Sequence, residues 1–308
     1  MDTKRRGRPP KNRLDYNVNA INPDESNPEH KFPISALEIP FTPKSPAHGL
    51  VYVVTTMSDK IKTIFEIYKD KIQTLAVMNF TNSGISFIYY EAEDTNAFIA
   101  KLFADKFSTY ELIQPISINV GVELIFQIFK LLPKDYPIAL SIDKEGEQYK
   151  LGISATNRSK KKNFNLDVTA NAVIDPRCER FSTATYDFIV MMNSEDFQNE
   201  YKEIRSLSQE LFEIICTDKK LIFQIQEKKF DHSTEILEDE TTKSILYFKR
   251  NPDLTICSTF PVDNFTKYTK CSIFSKNVKI YFSNEHPLIL EYGTTGVIFQ
   301  AFVQQIQK

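Results

Sequence analysis

Residues able to do chemistry are scattered in this sequence. The four histidines, His30, His48, His232 and His286, lie far apart, and no His-x-x-x-His pair or Cys/His cluster has metal-ligand spacing. The cysteines, Cys178, Cys216, Cys257 and Cys271, include no Cys-x-x-Cys pair and read as reduced, buried thiols of an intracellular protein. Neither Gly-x-x-x-x-Gly-Lys-[Ser/Thr] nor Gly-x-Ser-x-Gly occurs, and only 8 glycines are present, which argues against a phosphate-cradling loop. The acidic run Glu235, Glu238, Asp239 and Glu240 has two readings, a metal site or a solvated loop between strands, and the loop is the simpler. No catalytic residue, metal or cofactor is assigned, and an enzyme is the weakest of the functional readings.

The clearest chemical signal is basic. Arg6-Gly7-Arg8-Pro9, flanked by Arg5 and Lys11, resembles an AT-hook core. An extended Arg-Gly-Arg fits the narrow minor groove of A·T-rich DNA, where the negative potential is deepest, and a Cβ at the glycine would meet the groove floor. A nuclear-import tag and a solvated basic tail are the competing readings of the same residues. Residues 1–13 hold six cations against Asp2, a net +5, which leaves -7 on the rest of a chain whose total is -2. A basic arm on an acidic body points to nucleic acid.

The elements that would carry these residues begin near position 50. The length of 308 residues suggests about two domains, with 42% hydrophobic and 25% charged residues, ordinary for a folded chain. No run reaches the ~18 apolar residues of a membrane span, and no apolar stretch follows the first cations as in a secretory signal. Residues 1–48 are rich in Pro and Asn without amphipathic period and are predicted to be a flexible arm. After a strand at 50–56, Ile61, Ile64, Phe65, Tyr68 and Ile72 recur at helical spacing. A hairpin turning at Asn82-Ser83-Gly84, further strands, a second helix at 121–132 halted by Pro133, and another hairpin follow. The same order then recurs. A strand leads to a helix at 194–207, a hairpin, a strand at 244–250, a short helix at 260–271 and three closing strands. The predicted fold class is α+β, with two tandem similar domains at 49–155 and 179–308 joined by a polar connector at 156–178.

Three stretches resemble the sliding clamps of the proliferating cell nuclear antigen type. They are Ile64-Phe65-Glu66-Ile67-Tyr68-Lys69-Asp70 with Asn82-Ser83-Gly84-Ile85, then Phe188-Ile189-Val190-Met191-Met192 with Ser194-Glu195-Asp196-Phe197, and then Tyr268-Thr269-Lys270, Val278-Lys279-Ile280 and Pro287-Leu288-Ile289-Leu290-Glu291-Tyr292. The likeness spans about residues 50–306. The Arg-Gly-Arg-Pro-Pro-Lys arm is also similar to the clamp-like proteins of large cytoplasmic DNA viruses, the African swine fever virus type above all. The resemblance implies a DNA clamp fold, each domain packing two helices on antiparallel sheets, and a homotrimeric ring around double-stranded DNA that tethers a DNA polymerase. It implies an intracellular place at sites of replication, a cytoplasmic virus factory if the chain is viral and otherwise the nucleus, and no membrane partner.

Site residues follow from the same resemblance. DNA phosphates are expected at Lys62, Lys69, Lys130, Lys202, Arg205, Lys267 and Lys270, besides Arg6 and Arg8 on the arm. Glu195, Asp196, Glu200 and Glu203 dilute that field, and Asp263 falls where a basic residue is expected. A partner peptide is expected in an apolar pocket of Tyr90, Val173, Ile174, Pro287, Ala301 and Val303, with the large Tyr90 making it shallower or fitted to a different motif. Ring closure is expected between edge strands at 162–168, with Phe164 and Leu166, and 243–249, with Ile245 and Tyr247. Two rivals stand beside the clamp. One is a clamp-fold viral transcription or accessory factor that binds DNA or polymerase without encircling DNA, and the other is an AT-hook chromatin binder whose body is a scaffold.

Overall fold

The computed structural model describes residues 49–306 apart from 70–74, 91–95, 133–135, 158–159, 172–184, 209, 228–229, 239–243, 250 and 295. Arg6, Arg8, Val173 and Ile174 therefore lie outside the described residues, as do 158–159 and 172–178 of the expected connector.

The first half runs β1 (Val51–Thr55), α1 (Ser58–Tyr68), β2 (Leu75–Thr81), β3 (Gly84–Tyr90), β4 (Asn96–Phe103), β5 (Thr109–Leu112), β6 (Ile116–Gly121), α2 (Val122–Leu131), β7 (Ile138–Glu145), β8 (Gln148–Asn157) and β9 (Lys160–Asn171). The second repeats that order as β10 (Phe188–Asn193), α3 (Ser194–Leu207), β11 (Leu211–Cys216), β12 (Lys220–Glu227), β13 (Phe230–Leu237), β14 (Ile245–Lys249), β15 (Ile256–Pro261), α4 (Val262–Phe265), β16 (Asn277–Phe282), β17 (Leu288–Thr294) and β18 (Val297–Val303).

Local rules explain most of these elements. In α1 the residues Ile61, Ile64, Phe65, Ile67 and Tyr68 are buried, as one apolar stripe at helical spacing requires. The start of α3 is fixed by Asn193, whose side-chain oxygen accepts hydrogen bonds from the backbone N–H of Glu195 (2.7 Å) and Asp196 (3.4 Å). The helix predicted at 260–271 is instead a short α4 followed by a 3-10 turn at Tyr268–Ile273. Thr266 and Thr269 are poor helix formers, and the Thr269 hydroxyl donates to the Thr266 carbonyl at 3.1 Å in place of a regular turn.

The ladders repeat with one departure, since β6–β9 (Ser117↔Asn171 to Asn119↔Thr169) is answered only by the single bridge Thr259↔Ile306. β1–β5, β1–β7, β2–β3, β2–β6, β3–β4, β7–β8 and β8–β9 are matched in turn by β10–β14, β10–β16, β11–β12, β11–β15, β12–β13, β16–β17 and β17–β18. One ladder joins the halves. β18 runs antiparallel to β4 from Val297↔Leu102 to Val303↔Asn96. The result is a fourteen-stranded sheet with a four-stranded sheet, β13-β12-β11-β15, beside it. Residues 160–171, placed in the connector by sequence, belong to β9, and 160–168 of them pair with β8.

The long sheet is apolar on both faces near this junction. Val297, Phe299, Ala301 and Val303 of β18 join the main core with the buried stripes of α1, α2 and α3. Phe302 points the other way, into a second cluster with Ile88, Ile99, Ile289, Tyr186 and Tyr281. No described helix is long and apolar enough to cross a membrane.

Candidate nucleic-acid and partner interfaces

Among the described residues, α1 to α4 each bury one side in the same core and leave the other outward, which gives the sheet a helical face. Lys130, Lys202, Arg205 and Lys270 are exposed there, and Lys62 and Lys267 are half-buried. Lys69 is spent differently from expectation. Its ammonium sits 4.3 Å from the centre of the Phe126 ring, a cation–π contact joining α1 to α2. The basic residues of α3 share their helix with Glu195, Asp196, Glu200 and Glu203, which dilute their charge. Asp263 is exposed on α4.

Charge gathers where α3 meets β13. His232 Nε2 lies 3.4 Å from a Glu203 carboxylate oxygen. Burial raises the Glu200 carboxyl above its ordinary value, opposed by a hydrogen bond from Thr234, while Glu203 and Asp196 add to the rise and His232 opposes it. The acidic run read as a loop begins on this strand. Glu235 is a β13 residue, with its carboxylate 2.8 Å from Lys220 Nζ. Among the described residues no group of His, Cys, Asp and Glu could hold a metal ion.

On the opposite face, Tyr90 is half-buried against the second apolar cluster. Pro287 is close by, and its carbonyl accepts a hydrogen bond from the Tyr186 hydroxyl at 3.2 Å. Ala301 and Val303 do not join them. Both are wholly buried on the helical side, and Phe302 and Ile289 occupy the outer face instead. The cause is strand parity: one residue of slip turns every side chain to the other face, and a strand buried on both faces with Gln300 as its one polar residue gives little alternation to correct it. Beneath this surface runs a polar ladder. The Glu291 carboxylate is 6% exposed and accepts from the Tyr281 hydroxyl (3.0 Å) and the Gln300 amide (2.8 Å). Burial, then the Glu291 charge, pushes the Tyr281 hydroxyl far above its usual range.

The expected edge strands divide. In β9, Phe164 and Leu166 are half-buried and alternate with exposed neighbours, and its Lys160–Val168 edge has no second strand among the described residues. In β14, Ile245 is wholly buried and Tyr247 packs on Phe188 at 6.5 Å, so these two serve the chain's own core. The strand that sequence reading missed is β13. It pairs with β12 alone among the described residues, and half-buried His232, Thr234 and Ile236 alternate with exposed residues along it.

With this geometry in view, the likenesses to known proteins are informative. Residues 181–305 match the family model for the proliferating cell nuclear antigen, C-terminal domain. A probable DNA polymerase sliding clamp of Autographa californica nuclear polyhedrosis virus is 22% identical over 232 residues, which cover 75% of this chain and 86% of that protein. The crystal structure of proliferating cellular nuclear antigen from Entamoeba histolytica matches with a TM-score of 0.69 at 16% identity, covering 84% of this chain and 100% of the other. The fold is that of a clamp of the proliferating cell nuclear antigen type.

Proposed function

We propose that this chain is a DNA sliding clamp, a ring of three copies that encircles duplex DNA and tethers a DNA polymerase. The observation that carries the reading is the one ladder that joins the two halves. β4 is the fourth strand of the first repeat and β18 the last strand of the second, and they pair within the chain. Their counterparts, β13 and the Lys160–Val168 stretch of β9, have no second strand among the described residues. An unpaired strand edge is a template for another chain. Pairing β9 of one subunit with β13 of the next repeats the internal junction head to tail, and such an interface generates a ring when the rotation closes. β13 thus replaces the 243–249 strand as the second half of the seam.

In this ring the helical face lines the channel, where Lys62, Lys130, Lys202, Arg205, Lys267 and Lys270 meet phosphates without reading bases. Arg6 and Arg8 add an arm that grips DNA outside the channel. The outer apolar cluster, with Tyr90 and Pro287 at its rim, receives a partner peptide beneath a connector carrying Val173 and Ile174. The chain acts as a scaffold and catalyses nothing, at sites of replication in a virus factory or nucleus. The narrower likeness to the African swine fever virus type rests on the Arg-Gly-Arg-Pro-Pro-Lys arm alone.

The carboxylates of α3 favour one rival, an accessory factor of the same fold that binds polymerase or DNA without encircling it. Light scattering at low salt tests the ring: the proposal expects three times the 35.6 kDa chain mass. A particle of one chain mass at every concentration and salt would remove it.

A further inference from the structure

The two junctions of such a ring are alike in backbone and unlike in chemistry. Gly84↔Phe103 of β3–β4 corresponds to Lys220↔Leu237 of β12–β13, because each begins just after the first hairpin turn of its repeat. Leu151↔Leu166 of β8–β9 corresponds to Leu288↔Val303 of β17–β18, because both open the buried run of the matching strand. Lys101, Ala100 and Phe98 are therefore matched by Glu235, Thr234 and His232. Ile298, Phe299 and Ala301 are matched by Lys161, Lys162 and Phe164. Within the chain, β18 pairs with β4 as Ile298↔Lys101, Phe299↔Ala100 and Ala301↔Phe98. The same register between subunits sets Lys161 against Glu235, Lys162 against Thr234 and Phe164 against His232.

Inside the chain that junction is aromatic. Phe98 lies 5.0 Å from Tyr268, 5.7 Å from Tyr68 and 6.0 Å from Phe299. At the seam, His232 stands in place of Phe98 and Lys162 in place of Phe299. Ile64 and Ile67, buried in α1, give way at the same helical positions to Glu200 and Glu203 of α3.

We infer that the seam between subunits is an ionic lock, in which Lys161 of one copy pairs with Glu235 of the next and Lys162 neutralises the Glu200–Glu203 pair. This rests on the ring reading. Both sides are placed for it. Lys160, Lys161 and Lys162 are all exposed, and Lys162 Nζ donates to the exposed Leu131 carbonyl, at 2.5 Å. Glu235 keeps 48% of its side chain exposed while bonded to Lys220. Opposite charges directly across a strand pair attract and like charges repel, and exposed pairs are screened by salt. The ring should therefore loosen as salt rises, whereas the aromatic junction within each chain should not.

Sedimentation velocity of the full chain, from low to high salt, tests the lock. Wild type is expected to assemble at low salt and dissociate progressively. Lys161→Glu and Glu235→Lys should each weaken assembly by about tenfold or more, and the double reversal should restore it. Lys162→Glu with Glu203→Lys repeats the test at a second pair, in case one reversal harms folding, which melting curves report. Assembly that ignores salt, with reversals that match wild type, overturns the lock and leaves the ring standing. A wild type that stays a single chain at every salt overturns both.

Discussion

The Phe98 ring of β4 lies 5.0 Å from the Tyr268 ring in the 3-10 turn after α4, so one aromatic contact spans the two halves of the chain. Phe98 also meets Tyr68, Tyr89 and Phe299. It is the centre of the internal junction, and the ring account needs that junction rigid.

Truncation of this residue should therefore be felt throughout the molecule. Phe98→Ala removes a buried ring and leaves a cavity, with an expected loss of about 3–5 kcal/mol. Urea denaturation should show the midpoint falling for both halves together. A loss confined to one half would mean that they unfold separately.

The hairpin between β2 and β3 depends on Gly84. Its φ is +136°, and a Cβ there would lie 1.9 Å from the Leu102 carbonyl oxygen. Gly84→Ala should cost more than the ~1–3 kcal/mol of backbone strain alone. Gly146, at φ +64° with nothing within 4 Å of an added Cβ, is the control. Its alanine variant should lose only about 1–2 kcal/mol in the same denaturation experiment.

Glu200 makes a prediction of sign. Its carboxyl is raised by burial, with Glu203 and Asp196 adding and Thr234 and His232 opposing. A carboxyl that binds its proton more tightly folded than unfolded supports the fold when protonated. That support is complete below the unfolded value and is lost as pH rises through the folded one. Glu200→Gln should raise the melting temperature of the single subunit at neutral pH, with the gain vanishing in acid. If Lys162 of a neighbour neutralises Glu200, the same variant should weaken assembly. A variant that lowers the neutral melting temperature would contradict the sign.

Duplex binding should depend on the exposed cations of the helical face. Replacing Lys130, Lys202 and Lys270 by alanine should lower affinity for a short duplex whatever its sequence. The salt slope should shrink by about 0.9 for each phosphate that is no longer neutralised. Fluorescence anisotropy over a salt series gives both quantities, and a change confined to A·T-rich duplexes would instead point to the arm.

Much of this architecture was legible in the sequence, and the misses have physical causes. Ile61, Ile64, Phe65 and Tyr68 announce α1 because a helix packed on one side needs that spacing. Asn193 followed by Ser194-Glu195-Asp196 marks the start of α3 as a capped end. β13 escaped because Phe230–Leu237 is polar and acidic, the composition of a strand whose second edge lies open. Ala301 and Val303, expected in the pocket, face the helical side because Val297–Val303 is buried along its whole length and has Gln300 as its one polar residue, so its pattern carries little parity. The contact of Lys69 with Phe126 joins two helices far apart in sequence, beyond the reach of a periodicity that sees one helix at a time.

The central claim is encirclement, and retention on nicked circular DNA tests it most directly. Protein is loaded at low salt, so that an ionic seam stays shut, and then challenged with excess competitor duplex, which strips groove and phosphate contacts from any template. The account predicts that a fraction stays on circles, is released when the circle is cut, and is absent from templates linear from the start. That fraction should persist without residues 1–13 and disappear in Lys161→Glu. Equal loss from circles and linear DNA would contradict encirclement and favour an accessory factor that binds from outside.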